Sequence, residues 1–259
     1  MNTQPIGIFD SGVGGTSVFK EVEALLPHEN TIYLADSANA PYGNKTPGDI
    51  LNLSIKNTEW LLQQHCKLII VACNTATTNA ISYLRQHYSV PFIGIEPAIK
   101  PASLNSKTKA VGILATKGTL SSQLFYNTAN IYGSDVKIIE QIGEGIVPLI
   151  ESGQTLSEEM KTLLKAYLKP MLQANIDYLV LGCTHYPYLL PLLLELLPPQ
   201  VKIIDSGEAV ARQTKTVLEQ QNLLNTSLKQ GKHQFYTNAS VTVMADLLGA
   251  DYKVDFLRF

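Results

Sequence analysis

The sequence lacks the features that mark several common classes of protein. It has 20 basic and 22 acidic residues, so it has none of the positive excess typical of nucleic-acid binders. No apolar run reaches the roughly 18 residues of a membrane-spanning helix, and the first residues have neither the basic nor the hydrophobic part of a secretory signal. We therefore expect a globular protein of the cytoplasm that requires neither a membrane nor a nucleic acid.

Cysteine is also scarce. The three cysteines, Cys66, Cys73 and Cys183, are widely spaced and odd in number, which argues against a disulfide framework and against a zinc site. The histidines show no spacing typical of metal ligands, and the Gly-Lys-Ser/Thr of a Walker loop is missing. We expect free thiols in a reducing compartment and no bound metal.

The chain does show a regular alternation of two kinds of segment. Short apolar runs alternate with longer stretches of helical periodicity. The predicted strands are residues 6–9, 31–35, 68–72, 92–95, 110–114, 136–139, 178–181, 201–204 and 234–236. Helices are predicted over residues 17–26, 51–65, 75–87, 121–131 and 157–172. This alternation predicts the α/β class, with parallel sheets and helices on their faces.

Three strand-and-turn patterns also occur twice, in the same order. Residues 6–12 resemble 111–117, residues 69–75 resemble 179–185, and residues 92–96 resemble 202–205. Such a repeat predicts two similar, pseudosymmetric α/β halves. We predict that residues 1–97 plus 207–259 form the first domain and residues 98–206 the second.

A glycine-rich loop follows the first predicted strand, at the end where open parallel sheets bind ligands. Asp10 ends the strand, and the loop from Gly12 to Gly15 would let backbone N–H groups approach an anion at the start of a helix. A dinucleotide site is one alternative, with Asp36 as the ribose-binding acid. However, Ser17 stands where that pattern needs a third Gly or Ala, and Asp10 would lie against the pyrophosphate.

Two cysteines end equivalent strands of the two halves. A lone cysteine is usually a small buried hydrophobe, but facing halves would place Cys73 and Cys183 across one cleft. Opposed thiols suit a two-base reaction, in which one removes a proton from a carbon and the other delivers a proton to the opposite face. That reaction inverts a stereocentre without a cofactor. Because each motif is expected to open a helix, we expect the helix dipole to lower the thiol pKa from about 8.5 toward neutrality.

Polar residues accompany each cysteine. Asp10 is the candidate partner of Cys73, and His185 is the candidate partner of Cys183. At the start of a helix, His185 is expected to be a neutral proton acceptor. Hydrogen-bond donors follow both cysteines, namely Asn74, Thr75 and Thr184.

Two further features are less specific. The loop containing Pro41, Tyr42 and Gly43 is either an ordinary turn or a rigid loop that presents its backbone N–H groups and its tyrosine to a substrate. Glu151 lies in a segment with little charge. From its surroundings in the sequence, we expect it to be solvated rather than catalytic.

Taken together, four motifs resemble those of the glutamate racemases, within the aspartate/glutamate racemase superfamily. They are Phe-Asp-Ser-Gly-Val-Gly-Gly at 9–15, Pro-Tyr-Gly at 41–43, Ala-Cys-Asn-Thr-Ala at 72–76 and Gly-Cys-Thr-His-Tyr-Pro at 182–187. The resemblance spans essentially the whole chain. His185 favours the glutamate enzymes, because aspartate racemases usually have a glutamate at that position.

The resemblance implies a cofactor-independent enzyme that interconverts L- and D-glutamate and supplies D-glutamate for peptidoglycan. It implies two pseudosymmetric α/β domains with the active site between them. Cys73 would act on the D-enantiomer and Cys183 on the L-enantiomer, assisted by Asp10, His185 and Glu151. The residues implied to hold the substrate are Asp10, Ser11, Tyr42, Gly43, Asn74, Thr75, Thr184 and His185, with Thr116 and Thr119 as further carboxylate contacts.

The resemblance also bears on assembly and regulation. Family members often form dimers, so a homodimer is implied. Some members carry an N-terminal extension and are activated by UDP-linked muramoyl-alanine, a cell-wall precursor. Because five residues precede the first predicted strand here, we expect no such activation.

Three alternatives stay open at this point. A racemase of aspartate or of another amino acid would keep the mechanism and change the substrate. A protein that binds a nucleotide or a small anion through the loop at 12–15 would tolerate the loss of either cysteine. A thiol redox protein would form a reversible disulfide between Cys73 and Cys183, although the chain has no Cys-x-x-Cys motif.

Overall fold

The protein is built on two parallel β-sheets. The computed structural model describes residues 2–132 and 135–259. The larger sheet contains β1 (Ile6–Asp10), β2 (Thr31–Ala35), β3 (Leu68–Val71), β4 (Phe92–Gly94), β9 (His233–Thr237) and β10 (Val254–Phe256). The smaller sheet contains β5 (Ala110–Ala115), β6 (Lys137–Ile142), β7 (Tyr178–Gly182) and β8 (Lys202–Ile204). Neighbouring strands run parallel in both sheets, which confirms the predicted α/β class.

Helices connect the strands. They are α1 (Thr16–Leu25), α2 (Pro47–Gln63), α3 (Asn74–His87), α4 (Ile99–Asn105), α5 (Lys117–Leu120), α6 (Gln123–Tyr132), α7 (Ile146–Glu151), α8 (Glu158–Gln173), α9 (Leu190–Leu196), α10 (Gly207–Gln220) and α11 (Val241–Leu248). Within residues 2–132 and 135–259, no helix has both the length and the apolar character that crossing a membrane requires.

The two sheets share one strand order. The larger sheet runs β10-β9-β2-β1-β3-β4 and the smaller runs β6-β5-β7-β8, so β1 to β4 correspond in order to β5 to β8. This is the pseudosymmetry that the sequence repeat predicts. Strands β9 and β10 extend the larger sheet. The domain boundaries at 97/98 and 206/207 stay a prediction, and Met1 and residues 133–134 lie outside the described part of the chain.

The central strands are buried on both faces. In β1, Ile8 and Phe9 point to opposite faces and belong to two different apolar clusters. Strand β7 has Val180 and Leu181 divided in the same way between two clusters. Because apolar packing covers both faces, the polar residues of these segments are confined to the carboxyl ends of the strands.

The starts of the helices follow local capping chemistry. Thr46 Oγ1 accepts the Asp49 N–H at 3.2 Å before α2, and Ser157 Oγ accepts the Met160 N–H at 3.1 Å before α8. At the junction of β3 and α3, the Cys73 sulfur accepts the Ala76 N–H at 3.4 Å. A cysteine that the sequence singles out is therefore fixed between a buried strand and a helix.

Candidate active site

The carboxyl ends of β1, β3 and β7 meet at a narrow cleft between the two sheets. Both Cys73 and Cys183 line this cleft, whose volume is about 10 Å³. The other lining residues are Ser11, Pro41, Tyr42, Gly43, Asn74, Thr75, Thr116, Val147, Thr184 and His185. A wider cavity of about 250 Å³ adjoins this cleft and shares part of its lining with it. The fold therefore brings two free thiols from separate sheets into one enclosed space.

Cys73 lies beside a hydroxyl and a carboxylate. Its thiol donates to Ser11 Oγ at 3.5 Å, and the Ser11 hydroxyl donates to Asp10 Oδ1 at 3.3 Å. Burial raises the pKa of the Cys73 thiol above its usual range, and the negative charge of Asp10 raises it further. The prediction that the thiol pKa is lowered toward neutrality is therefore wrong for Cys73, because the effect of burial outweighs that of the α3 dipole.

Asp10 is completely buried and binds the glycine-rich loop that follows it. It accepts the N–H groups of Ser11 at 2.7 Å and of Gly15 at 2.5 Å, and the hydroxyl of Thr184 at 3.1 Å. The pKa of Asp10 is raised, because the effect of burial is larger than the opposing effects of the His185 charge and of these amides. Because a carboxylate of the chain already occupies these amides, they are not free to hold a phosphate, which disfavours the dinucleotide alternative.

Cys183 has an imidazole as its neighbour. Its sulfur lies 3.7 Å from His185 Nδ1, and His185 Nε2 lies 2.5 Å from Glu151 Oε1. Burial lowers the pKa of His185, but Cys183 and Glu151 outweigh burial and hold that pKa well above its ordinary value. The prediction of a neutral imidazole is therefore wrong.

The chain after Cys183 also differs from the prediction. Residues 186–189 form a 3₁₀ turn, and the α-helix α9 begins only at Leu190. The motif therefore does not open an α-helix directly as the Cys73 motif does. The electrostatic environment of Cys183 comes from the His185–Glu151 pair rather than from a helix terminus.

Glu151 ends α7 and points back across the cleft. Its Oε1 accepts the Val13 N–H at 2.7 Å, and its Oε2 accepts the Ser37 hydroxyl at 2.9 Å. Although burial acts in the opposite direction, the hydrogen bond and charge of His185, with these two donors, lower the pKa of Glu151. Its side chain is only 14% exposed, so the expectation of a solvated residue is wrong. The local sequence misses this because Val13 and Ser37 are distant in the chain.

The glycine-rich loop makes room for this pair. A Cβ atom at Gly12 would overlap the Glu151 carboxylate, and one at Gly14 would overlap the His185 imidazole. The loop therefore has glycine at these two positions because side chains of the other sheet pack directly on its backbone.

Hydroxyl and amide groups surround the space between the thiols. Thr75 Oγ1 lies 2.8 Å from Thr116 Oγ1, which in turn lies 3.0 Å from Thr119 Oγ1. Thr119 is buried behind Thr116 and does not line the cleft. The Asn74 Oδ1 atom is buried without a hydrogen-bond partner in the described part of the chain. A buried acceptor of this kind favours a bound donor, such as an ammonium group.

Tyr42 contributes differently from the expectation. Its hydroxyl donates to Asp36 Oδ2 at 2.5 Å and accepts from Asn57 Nδ2 at 3.2 Å. Because the hydroxyl is held there, Tyr42 offers the cleft its ring and backbone. Gly43 lies against Thr116, and a Cβ atom at Gly43 would be 3.0 Å from the threonine Cβ.

Several residues support the site in roles that were not predicted from the sequence, where Asp36 was considered only as a ribose-binding acid. Ser37 binds Glu151, and Asp36 supports Tyr42. Ser17 Oγ donates to the Thr184 carbonyl at 2.9 Å. Asp36 and Ser37 directly follow β2, so their position after a strand was the available signal. Cys66, in contrast, makes no side-chain hydrogen bond within the described residues, and burial raises the pKa of its thiol to about 12.

The fold and this site define a class of proteins. A model of the Asp/Glu/Hydantoin racemase family matches residues 6–214. The chain belongs to that family, so it is a racemase, which is a kind of isomerase. This confirms the resemblance seen in the four sequence motifs.

Within the family, the chain belongs with the glutamate racemases. A glutamate racemase from Herpetosiphon aurantiacus is 46% identical over 238 residues, covering 92% of this chain and 94% of that protein. A crystal structure of a glutamate racemase isoform from Bacillus anthracis has 30% identity and a TM-score of 0.89, covering 100% of this chain and 98% of that one. A crystal structure of the Escherichia coli glutamate racemase, in complex with L-glutamate and the activator UDP-MurNAc-ala, has 33% identity and a TM-score of 0.82. The match covers 95% of this chain and 92% of that one.

Proposed function

We propose that this protein interconverts L-glutamate and D-glutamate by a two-base mechanism that needs no cofactor. One observation carries the proposal. Cys73 and Cys183 line a single cleft and have different partners, Ser11 with Asp10 on one side and His185 with Glu151 on the other. Two acid/base groups in distinct environments are what proton removal from one face and proton delivery to the other require.

The proton balance follows from this arrangement. In the direction from L-glutamate, the Cys183 thiolate first takes the α-proton, and the Cys73 thiol then gives its proton to the opposite face of the same carbon. In the direction from D-glutamate, the Cys73 thiolate takes the proton and the Cys183 thiol gives one. An imidazolium beside a sulfur stabilises a thiolate, which suits His185 as the partner of Cys183. Asp10, reached through Ser11, is the corresponding partner of Cys73.

The carbanionic transition state has to be stabilised by the chain itself. Donors fixed before the reaction, in an enclosed cleft, cost little reorganisation when charge develops. We assign the substrate carboxylate and ammonium groups to Asp10, Ser11, Tyr42, Gly43, Asn74, Thr75, Thr184 and His185, with Thr116 as a further contact. Thr119 supports Thr116, because it lies behind the lining of the cleft.

The wider context of this activity is also a proposal. A glutamate racemase in the cytoplasm would supply D-glutamate for peptidoglycan, and the three free cysteines are consistent with a reducing compartment. A homodimer, and domains of residues 1–97 plus 207–259 and 98–206, are proposed with it.

The test is circular dichroism of L-glutamate with purified protein in D₂O, with a reducing agent and no added cofactor. We expect the optical signal to decay to zero while deuterium enters at Cα. Turnover of aspartate without turnover of glutamate would keep the mechanism and overturn the substrate. No change with any amino acid would overturn the proposal as a whole.

A further inference from the structure

Ser37 touches the catalytic machinery without lining the cleft. Its hydroxyl donates to Glu151 Oε2 at 2.9 Å, and Glu151 Oε1 pairs with His185 Nε2 at 2.5 Å. His185 Nδ1 then lies 3.7 Å from the Cys183 sulfur. A continuous series of polar contacts therefore leads from Ser37 to one of the two thiols.

This series crosses between the two sheets. Ser37 follows β2 of the larger sheet, and Val13 follows β1 of the same sheet. Glu151 and His185 belong to segments that follow β6 and β7 of the smaller sheet. Both non-histidine donors to the Glu151 carboxylate thus come from the opposite side of the cleft.

We infer that Ser37 is a positioning residue that orients Glu151, and through it His185, for proton transfer at Cys183. The inference rests on the proposed two-base function. Glu151 is the last residue of the short helix α7, so its orientation depends on the contacts that its carboxylate makes. With one oxygen held by Val13 and the other by Ser37, the plane of the carboxylate is fixed, and Oε1 is aimed at the imidazole.

The same geometry couples the chemistry to the closed cleft. Any movement that separated the two sheets would break the contacts of Glu151 with Val13 and Ser37 together. The His185–Glu151 pair would then lose its orientation. The set of contacts around Cys183 is therefore complete only when the sheets are in contact. At Cys73, the contact with Ser11 lies within segments of the larger sheet, and the Thr184 hydroxyl that donates to Asp10 comes from the smaller sheet.

The test compares Ser37→Ala with Ser37→Thr, which restores a hydroxyl, and with Ser152→Ala. Ser152 is the matched control, since it adjoins Glu151 but its hydroxyl bonds to the Leu149 carbonyl at 3.0 Å. We expect kcat/KM to fall about tenfold in Ser37→Ala, as for the loss of one hydrogen bond to a charged group. Ser37→Thr should recover most of the rate, and Ser152→Ala should match the parent protein.

Two readouts separate positioning from a general loss of structure. In Ser37→Ala, proton transfer at Cys183 becomes slower. The Cα-deuterium isotope effect on kcat/KM should therefore be larger than in the parent protein when L-glutamate is the substrate. It should be smaller when D-glutamate is the substrate. Loss of a donor to the carboxylate also favours its protonated form, so the acid limb of the pH profile should move to higher pH. An equal change in both isotope effects, or an unmoved acid limb, would overturn the role of Ser37.

Failure of this inference is distinguishable from failure of the proposed function. If the parent protein racemises glutamate and needs both cysteines, but Ser37→Ala behaves like Ser152→Ala, only the inference about Ser37 fails. If the parent protein does not racemise glutamate, the proposed function fails and the inference fails with it.

Discussion

The Thr184 hydroxyl donates to the Asp10 carboxylate at 3.1 Å, although the two residues are 174 positions apart. Thr184 directly follows Cys183, while Asp10 reaches Cys73 through Ser11. The acid that serves one thiol is therefore oriented by a neighbour of the other thiol. The two halves of the site are not independent, and substitutions on one side are expected to affect the other.

The first prediction concerns the two thiols. Cys73→Ser and Cys183→Ser should each abolish racemisation, because a serine hydroxyl is a far weaker acid than a thiol and cannot serve as the second base. Circular dichroism of glutamate measures the activity, and far-ultraviolet circular dichroism and urea unfolding report on the fold. Two-way racemisation persisting in either variant, with the fold intact, would contradict the two-base assignment. Cys66→Ser is the matched control, since Cys66 is also buried but lies outside the cleft.

The second prediction concerns His185. His185→Asn should slow proton transfer at Cys183 by about 10²- to 10⁴-fold, the range for loss of an acid/base assistant. The two enantiomers have equal free energy, so kcat/KM must fall equally in both directions and cannot reveal the asymmetry. Cα-deuterium isotope effects do reveal the asymmetry: the effect should be larger than in the parent protein with L-glutamate as the substrate and smaller with D-glutamate. The opposite pattern would reassign His185 to the reaction of the D-enantiomer.

The third prediction is a pH dependence of stability. The pKa of Glu151 lies below its ordinary 4.5 in the folded protein, so its contribution is present above that value and is lost as pH falls through the lowered pKa. The pKa of His185 lies above its ordinary 6.5, so its contribution is present below 6.5 and is lost as pH rises through the raised pKa. Both contributions are complete between 4.5 and 6.5.

Glu151→Gln should therefore lower the free energy of unfolding most in that window, by about 2 kcal/mol. Urea unfolding of both proteins below, within and above the window measures the difference. A difference that is constant across pH would show that the ion pair does not contribute to stability.

The fourth prediction concerns the glycine-rich loop. Gly14→Ala should displace the His185 imidazole and lower kcat by about 10²-fold or more, because catalysis is sensitive to small shifts of a reacting group. Gly48→Ala is the control: it lies in α2, where the nearest atom to an added Cβ is Thr46 Oγ1 at 3.9 Å. It should keep activity and raise stability by up to about 1 kcal/mol. Normal activity in Gly14→Ala would mean that His185 is free to move.

Several structural features were predictable because they depend on local pattern. The predicted strands occur in the structure with their ends shifted by only a few residues, since buried parallel strands are continuous apolar runs. Strand β10 was missed, because it is a short edge strand with a charged residue at Asp255. The short helices α5 and α7 span too few residues to produce a helical period.

The environments of the site residues were less predictable. Local reasoning described Glu151 as solvated, His185 as neutral and Cys73 as a thiol of lowered pKa, and the structure contradicts all three. Each error has the same physical cause. A pKa depends on burial and on charges within a few ångströms, and these neighbours come from distant parts of the chain.

The amino-acid order alone specified the α/β class, the internal repeat and the identity of the polar residues at the strand ends. It could do so because strand and helix periodicity, glycine and capping chemistry act over a few consecutive residues. The folded chain was needed to show which partner each thiol has, that Val13 and Ser37 bind Glu151, and that the Tyr42 hydroxyl donates to Asp36. These contacts depend on how the two sheets pack against each other, and the residues that make them are far apart in the sequence.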